Sequence, residues 1–203
     1  LHNNTGHNPH YACVTELRHP DLHLASLFAR TAVYFQQPTG VQTMAFAPLC
    51  PSITCECGKV GDESGYDHAA QLVETCLHLA DHPTHPVPHG DLHLLHTVAT
   101  AKLAPNTTIG FDDSPADLHC APDLEWLNFR ELPPGFDFAR TPNAHALQLT
   151  DESGADVTHH YLAHDGQTLR LTRMIMPAML TTNIQVIHQD CLGYFMERIP
   201  LPH

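Results

Sequence analysis

The sequence predicts an all-β-dominated fold, a two-sheet β-sandwich with one or two short helices and long loops. Three observations carry this prediction. Short apolar and β-branched runs recur along the 203 residues. The 17 prolines fall mostly between those runs, where they suit irregular connections. No internal repeat, heptad or low-complexity tract points to another architecture. The whole chain, residues 1–203, is expected to form a single β-sandwich domain, with residues 1–12 as a loose, polar, His-rich lead-in.

Taken in order, strands are expected at Ala12–Leu17, Thr31–Gln36 and Gly40–Ala47. In the third, Val41, Thr43, Ala45 and Ala47 alternate with Met44 and Phe46. Cys50–Tyr66 is rich in Gly, Ser and charge and reads as loop. A helix is expected over Tyr66–Leu79, with Ser64 as its cap. Ala69, Ala70, Val73, Cys76 and Leu77 repeat there with the period of one buried face. Pro83, Pro86 and Pro88 exclude a regular element from Asp81 to Gly90. Val98, Thr97 and Thr100 favour a strand over Leu92–Leu103.

The second half reads as β throughout. Strands are expected at Thr108–Asp112, Leu124–Arg130, Ala146–Thr150, Val157–Ala163, Thr168–Met176, Asn183–His188 and Gly193–Ile199. His164-Asp165-Gly166 marks a hairpin.

Charge narrows the partners. There are 22 acidic residues against 9 Lys and Arg, a formal net charge of −13. Nucleic acid is excluded as a partner, because binding it requires cations that neutralise phosphate. An acidic surface speeds encounter with basic proteins. No apolar run approaches the ~20 residues that span a bilayer. The chain opens on Leu1 without a signal peptide, as a processed mature form would. Seven cysteines spread over the chain, with sequons at Asn3 and Asn106, point to disulfides, glycosylation and a secreted, extracellular protein. An odd cysteine is left over.

Motifs for catalysis are missing. There is no G-x-S-x-G elbow, no phosphate-binding Gly-rich loop and no H-E-x-x-H. A non-enzymatic protein without cofactor or intrinsic metal site is therefore expected. The 19 histidines keep one different reading open, a secreted His-rich metal-binding protein, with His82, His85, His89, His93 and His96 crowding one segment. The pair Asp112-Asp113 reads as solvated charge.

The cysteines carry a resemblance. Gly40 to Pro51, with Met44-Ala45-Phe46 and then Cys50-Pro51, resembles a strand of the secreted poxvirus chemokine-binding proteins. Four further blocks are similar to that family in the same order. They are Cys13-Val14-Thr15-Glu16, His68 to Leu79 around Cys76, Asp117 and Cys120 followed by Leu124-Glu125-Trp126, and Thr181 to Cys191. The resemblance implies a β-sandwich decoy that sequesters host chemokines. The alternative within the family is a decoy for granulocyte–macrophage colony-stimulating factor and interleukin-2. A two-tryptophan WSxWS-like motif of that cytokine-binding group is excluded by the single Trp126. By the same resemblance Cys13, Cys50, Cys76, Cys120 and Cys191 are disulfide candidates, with Cys55 and Cys57 extra. The implied partner-binding face holds Tyr34, Thr43, Asp112, Asp113, Asp117, Glu125 and Leu169. The family's long acidic loop has no counterpart, since His19–Phe28 carries only Asp21.

Overall fold

A computed structural model describes residues 1–203. The fold is mixed α/β, with parallel and antiparallel pairing and five helices, and it corrects the expected all-β sandwich. The chain forms two compact units. The first comprises Leu1–Asn4, Pro9–Thr97 and Arg198–His203; the second comprises Thr5–Asn8 and Val98–Glu197.

The first unit contains β1 (His2–Asn4), β2 (Tyr11–Val14), α1 (His19–Phe28), β3 (Thr31–Tyr34), α2 (Gln42–Phe46), β4 (Ile53–Lys59) and α3 (Glu63–Leu77). It also holds the first half of β5 (His93–Leu103), a strand that leaves the unit after Thr97. Its strands lie in the order β1-β4-β2-β3-β5. β1 runs parallel to β4, β2 antiparallel to β4, and β2, β3 and β5 run parallel. Parallel neighbours cannot be joined by a tight turn, so a crossover is required. α1 supplies it between β2 and β3.

α1 occupies His19–Phe28, for which the sequence reading named no element. Pro20 stands in its first turn, where a missing N–H costs nothing, and Leu22, Ala25 and Phe28 form its buried face. These pack with Ala12, Val14, Ala32, Cys55, Cys57 and Leu72 into one core. The expected strand Gly40–Ala47 contains α2 instead. Thr43 is its buried position, the capping Ala47 is buried four residues on, and Met and Ala favour helix. Cys50–Tyr66, expected as loop, contains β4. Four successive residues of β4, Cys55 to Gly58, are buried, and strands covered on both faces lose the alternation that sequence patterns rely on. α3 starts three residues before the expected Tyr66. Its cap is Asp62, whose carboxylate accepts from the Ser64 N–H at 3.0 Å, not Ser64 itself. The lead-in 1–12 is ordered, as β1 and the start of β2.

The second unit adds β6 (Ile109–Gly110), β7 (Leu118–His119), β8 (Asp137–Arg140), β9 (Leu147–Thr150), α4 (Thr158–Tyr161), β10 (Leu162–His164), β11 (Thr168–Leu171), β12 (Met176–Ala178), α5 (Ile184–Gln189) and β13 (Gly193–Arg198), whose last residue belongs to the first unit. The rest of β5 pairs with β9 and β13, and β13 with β12. A second sheet runs β10-β11-β8-β7-β6. Phe138, Leu147, Leu149, Leu169, Leu171, Ile175 and Phe195 centre the core. Asp165-Gly166 forms the expected hairpin, with Asp165 accepting from the Gln167 and Thr168 N–H groups and Gly166 at φ +102°. Three expected strands are corrected. Leu124–Leu127 is a 3₁₀ turn, Val157–Ala163 contains α4, and Asn183–His188 is α5, capped by the Asn183 side chain on the Val186 N–H.

Candidate active site

The candidate site lies in the first unit and grows from the register of three strands. Glu56 in β4 stands opposite His2 in β1 and opposite Tyr11 in β2. Residues paired across a ladder present their side chains to the same face. The Glu56 carboxylate is therefore set between a histidine and a tyrosine.

Two side chains hold it. The His2 ring nitrogen Nδ1 lies 3.2 Å from Glu56 Oε2, and Asn4 Nδ2 donates to the same oxygen at 3.1 Å. Nδ1–H donation to a carboxylate sets the tautomer and leaves His2 Nε2 as the other functional nitrogen. Both of these contacts fall on Oε2. Glu56 is 7% exposed and Asn4 1%, whereas the His2 side chain is 65% exposed. The buried acid is thus anchored from within, and its histidine partner faces water. Asn4 Oδ1 is buried without a partner. Exchanging its amide atoms would set oxygen against the carboxylate, so the orientation is fixed by Glu56. Asn3 Nδ2 donates to the Gly58 carbonyl at 3.5 Å and ties β1 to the end of β4.

The thiols around this carboxylate are poor nucleophiles. Burial, then Glu56 and Cys55, pushes Cys13 well above the usual thiol range. Burial pushes Cys55 up to about 12 and also raises Cys57. A thiol that stays protonated at neutral pH does not attack.

Beside the end of β4, His10 stacks on His68 with ring centroids 4.5 Å apart. Gly58 has φ +80°, and a Cβ there would meet the His10 ring at 3.3 Å. Burial, then the His68 charge, holds His10 below its ordinary 6.5, while Asp62 pulls it upward. A histidine lowered on folding contributes stability that is present above 6.5 and lost as pH falls through its folded value. Stability to urea should therefore decline as pH is lowered from 7 towards 5, and His10→Gln should flatten that decline. An unchanged pH slope in the variant would contradict this assignment.

The expected partner-binding residues fall in both units, Tyr34 and Thr43 in the first and Asp112, Asp113, Asp117, Glu125 and Leu169 in the second. Thr43 is buried against Thr54 in the first unit, and Leu169 is buried in the second, so neither is a surface contact. Tyr34 is half-buried, its ring 5.0 Å from that of His96. Asp117 is occupied by the Thr108 N–H and hydroxyl at 2.8 and 2.7 Å, and Glu125 Oε1 accepts from Thr181 and Thr182. Asp112 and Asp113 line an open cleft of about 520 Å³ with His119, Asp137 and Arg140, where Asp112 is bonded to Ser114. Asn106 is exposed at a turn, and Asn3 is half-buried in β1. All seven cysteines, including the disulfide candidates Cys13, Cys50, Cys76, Cys120 and Cys191, carry free thiols. Burial raises Cys120 to about 12 and Cys191 to about 11. The crowded histidines gain no metal site, because no three or more His, Cys, Asp or Glu side chains gather where they could hold an ion. His2 and Glu56 alone fall one short of the three protein ligands of a catalytic zinc.

Sequence reasoning missed His2, Asn4 and Glu56. The first two fell in the supposed lead-in and the third in a supposed loop. The available signal was Cys55-Glu56-Cys57, a lone charge inside an otherwise strand-forming run.

No protein-family model and no curated protein matches the chain. Solved structures do. A glutamate-to-alanine mutant of murine aminoacylase 3 is similar with a TM-score of 0.57 and 16% identity, over 98% of this chain and 60% of that one. Succinylglutamate desuccinylase from Chromobacterium violaceum gives 0.53 and 15%, over 100% and 54%. Succinylglutamate desuccinylase/aspartoacylase from Rhodobacter sphaeroides gives 0.52 and 13%, over 97% and 56%. The chain thus spans little more than half the length of these structures. At such identity the likeness shows the fold. It overturns the poxvirus resemblance and the chemokine or cytokine decoy that rested on it, and it corrects the non-enzymatic reading drawn from the missing motifs, since the similar structures are named as an aminoacylase and desuccinylases.

Proposed function

We propose that this chain carries the acid–base centre of a hydrolase that cleaves the amide bond between an acyl group and an amino acid. The observation that carries the proposal is the His2–Glu56–Asn4 cluster, a buried carboxylate held on one oxygen and paired with an exposed histidine. The fold supports it, because it is shared with proteins named aminoacylase, aspartoacylase and succinylglutamate desuccinylase.

The chemistry follows from how the carboxylate is held. Glu56 Oε1, the oxygen that neither His2 nor Asn4 contacts, takes a proton from water as the water oxygen bonds to the amide carbon. His2, its Nδ1–H on Oε2, helps hold the carboxylate in place while it takes that proton. The C–N bond then breaks and the proton passes to the leaving nitrogen. A carboxylic acid and a free amino acid result. Asn4 touches no reacting atom and acts by positioning the carboxylate. A panel of N-acetyl, N-succinyl and longer N-acyl amino acids, read by release of free α-amine, tests the proposal and ranks the acyl groups. No release from any member would contradict it.

A further inference from the structure

The apolar surface of α3 is wider than the sheet beneath it covers. Gly65 and Leu72 are buried and His68 and Ala69 half-buried, which defines the side packed on the unit. Gly65 sits so close that a Cβ there would lie 2.1 Å from the Cys57 carbonyl oxygen, so this docking side is fixed. The sequence pattern nevertheless places Val73, Cys76 and Leu77 on the apolar face, and all three are exposed. Tyr66, Ala70, Val73 and Leu77 follow i, i+4, i+7 and i+11, a stripe about 60° wide at 3.6 residues per turn. Tyr66 is 56% exposed, Val73 49% and Leu77 80%.

Charge identifies what fits the stripe. Glu63, Asp67 and Glu74 are exposed and fall together along one flank of it, and α3 contains no Lys or Arg. A second copy of this chain would bring the same acids against them, on a molecule of formal charge −13. We infer that the exposed face of α3 is a docking surface for a basic amphipathic helix of a partner polypeptide. Its apolar ridge lies along Tyr66, Ala70, Val73 and Leu77, and its Lys or Arg residues meet Glu63, Asp67 and Glu74. Two amphipathic helices would pair along their apolar stripes, with apolar anchors giving affinity and flanking charge giving register. The surface is independent of the His2–Glu56 site, and its test needs no catalytic activity.

The probes are two synthetic helical peptides of ~20 residues, long enough to hold helix on contact. They share one Leu stripe and differ only in Lys and Arg or Glu along its flank. Titrated into the full chain, the basic peptide should bind and the acidic one should not, and added salt should weaken binding. Leu77→Glu and Val73→Glu should each weaken the basic peptide by about tenfold or more, as loss of an interface anchor does. A Glu63→Lys/Glu74→Lys double variant, confined to exposed positions, should reverse the preference towards the acidic peptide. Equal binding of both peptides, or binding of neither, would overturn the inference. So would a dimer of the chain alone that Leu77→Glu dissociates, since a second copy would then be the occupant.

Discussion

Glu56→Gln should abolish hydrolysis while leaving the fold intact, a loss of about 10²- to 10⁴-fold in kcat, the usual worth of a positioned general base. The amide oxygen can still accept the Asn4 Nδ2–H, so the buried hydrogen bond survives. What disappears is the ability of the second carboxylate oxygen to take a proton. Glu56→Asp keeps the carboxylate but draws it back along β4, and a displacement of ~1 Å costs about 10²-fold. The neighbours separate two kinds of effect. His2 is exposed, so His2→Ala should reduce kcat with little change in stability. Asn4 is buried, so Asn4→Ala should lower both, with about 1–3 kcal/mol lost from stability through the unpaired polar groups left behind. If Glu56→Gln were as active as wild type, Glu56 would not be the base.

The second large effect concerns the entry to α1. Asp21 is fully buried, and its carboxylate accepts from Arg18 Nε at 2.6 Å, Arg18 Nη2 at 3.0 Å and the Ser52 N–H at 2.8 Å. Arg18 also donates to the Cys50 carbonyl at 3.3 Å. This fork joins the start of α1 to the segment leading into β4, the strand that carries Glu56. The hydrogen bond to Asp21 raises the Arg18 guanidinium above its usual range. Arg18→Ala strands a buried carboxylate with one backbone donor, a change that costs about 3–5 kcal/mol for enclosed pairs. The Arg18 side chain is 43% exposed, so solvent screening places the expected loss near 3 kcal/mol. Arg18→Lys keeps the charge but loses the fork, and should fall between. Urea midpoints of the three proteins provide the check. A loss below about 0.5 kcal/mol for Arg18→Ala, the range of ordinary surface changes, would show that the pair does not hold α1.

Some of the fold was legible in the sequence. Strands Thr31–Tyr34 and Leu147–Thr150 lie within expected runs, Tyr11–Val14 overlaps the run expected from Ala12, and the Asp165-Gly166 turn was readable because its chemistry is local. The helices α1, α2 and α5 were not read, for separate reasons. α1 has few charged residues and a Pro start, α2 is a single turn whose apolar residues also alternate, and α5 buries only Ile187. β4 was missed because enclosure on both faces removes alternation while its Gly and charges imitate loop. The fold class failed with them, since crossover helices are what separate a mixed α/β sheet from a sandwich. The site was illegible for a related reason. His2 and Glu56 are 54 residues apart and meet only through the β1–β4 register, which no local spacing encodes. The cysteine blocks misled because buried thiols such as Cys55 and Cys120 pack as small apolar residues here, without bridging.

The measurement that bears most directly on the central claim is the release of free amino acid from N-acetyl and N-succinyl amino acids, with wild-type and Glu56→Gln protein assayed side by side after both are shown to be folded. The account predicts release by the wild type and at least about 100-fold slower release by the variant. Equal rates, or no release by a folded wild type from either substrate, would contradict it.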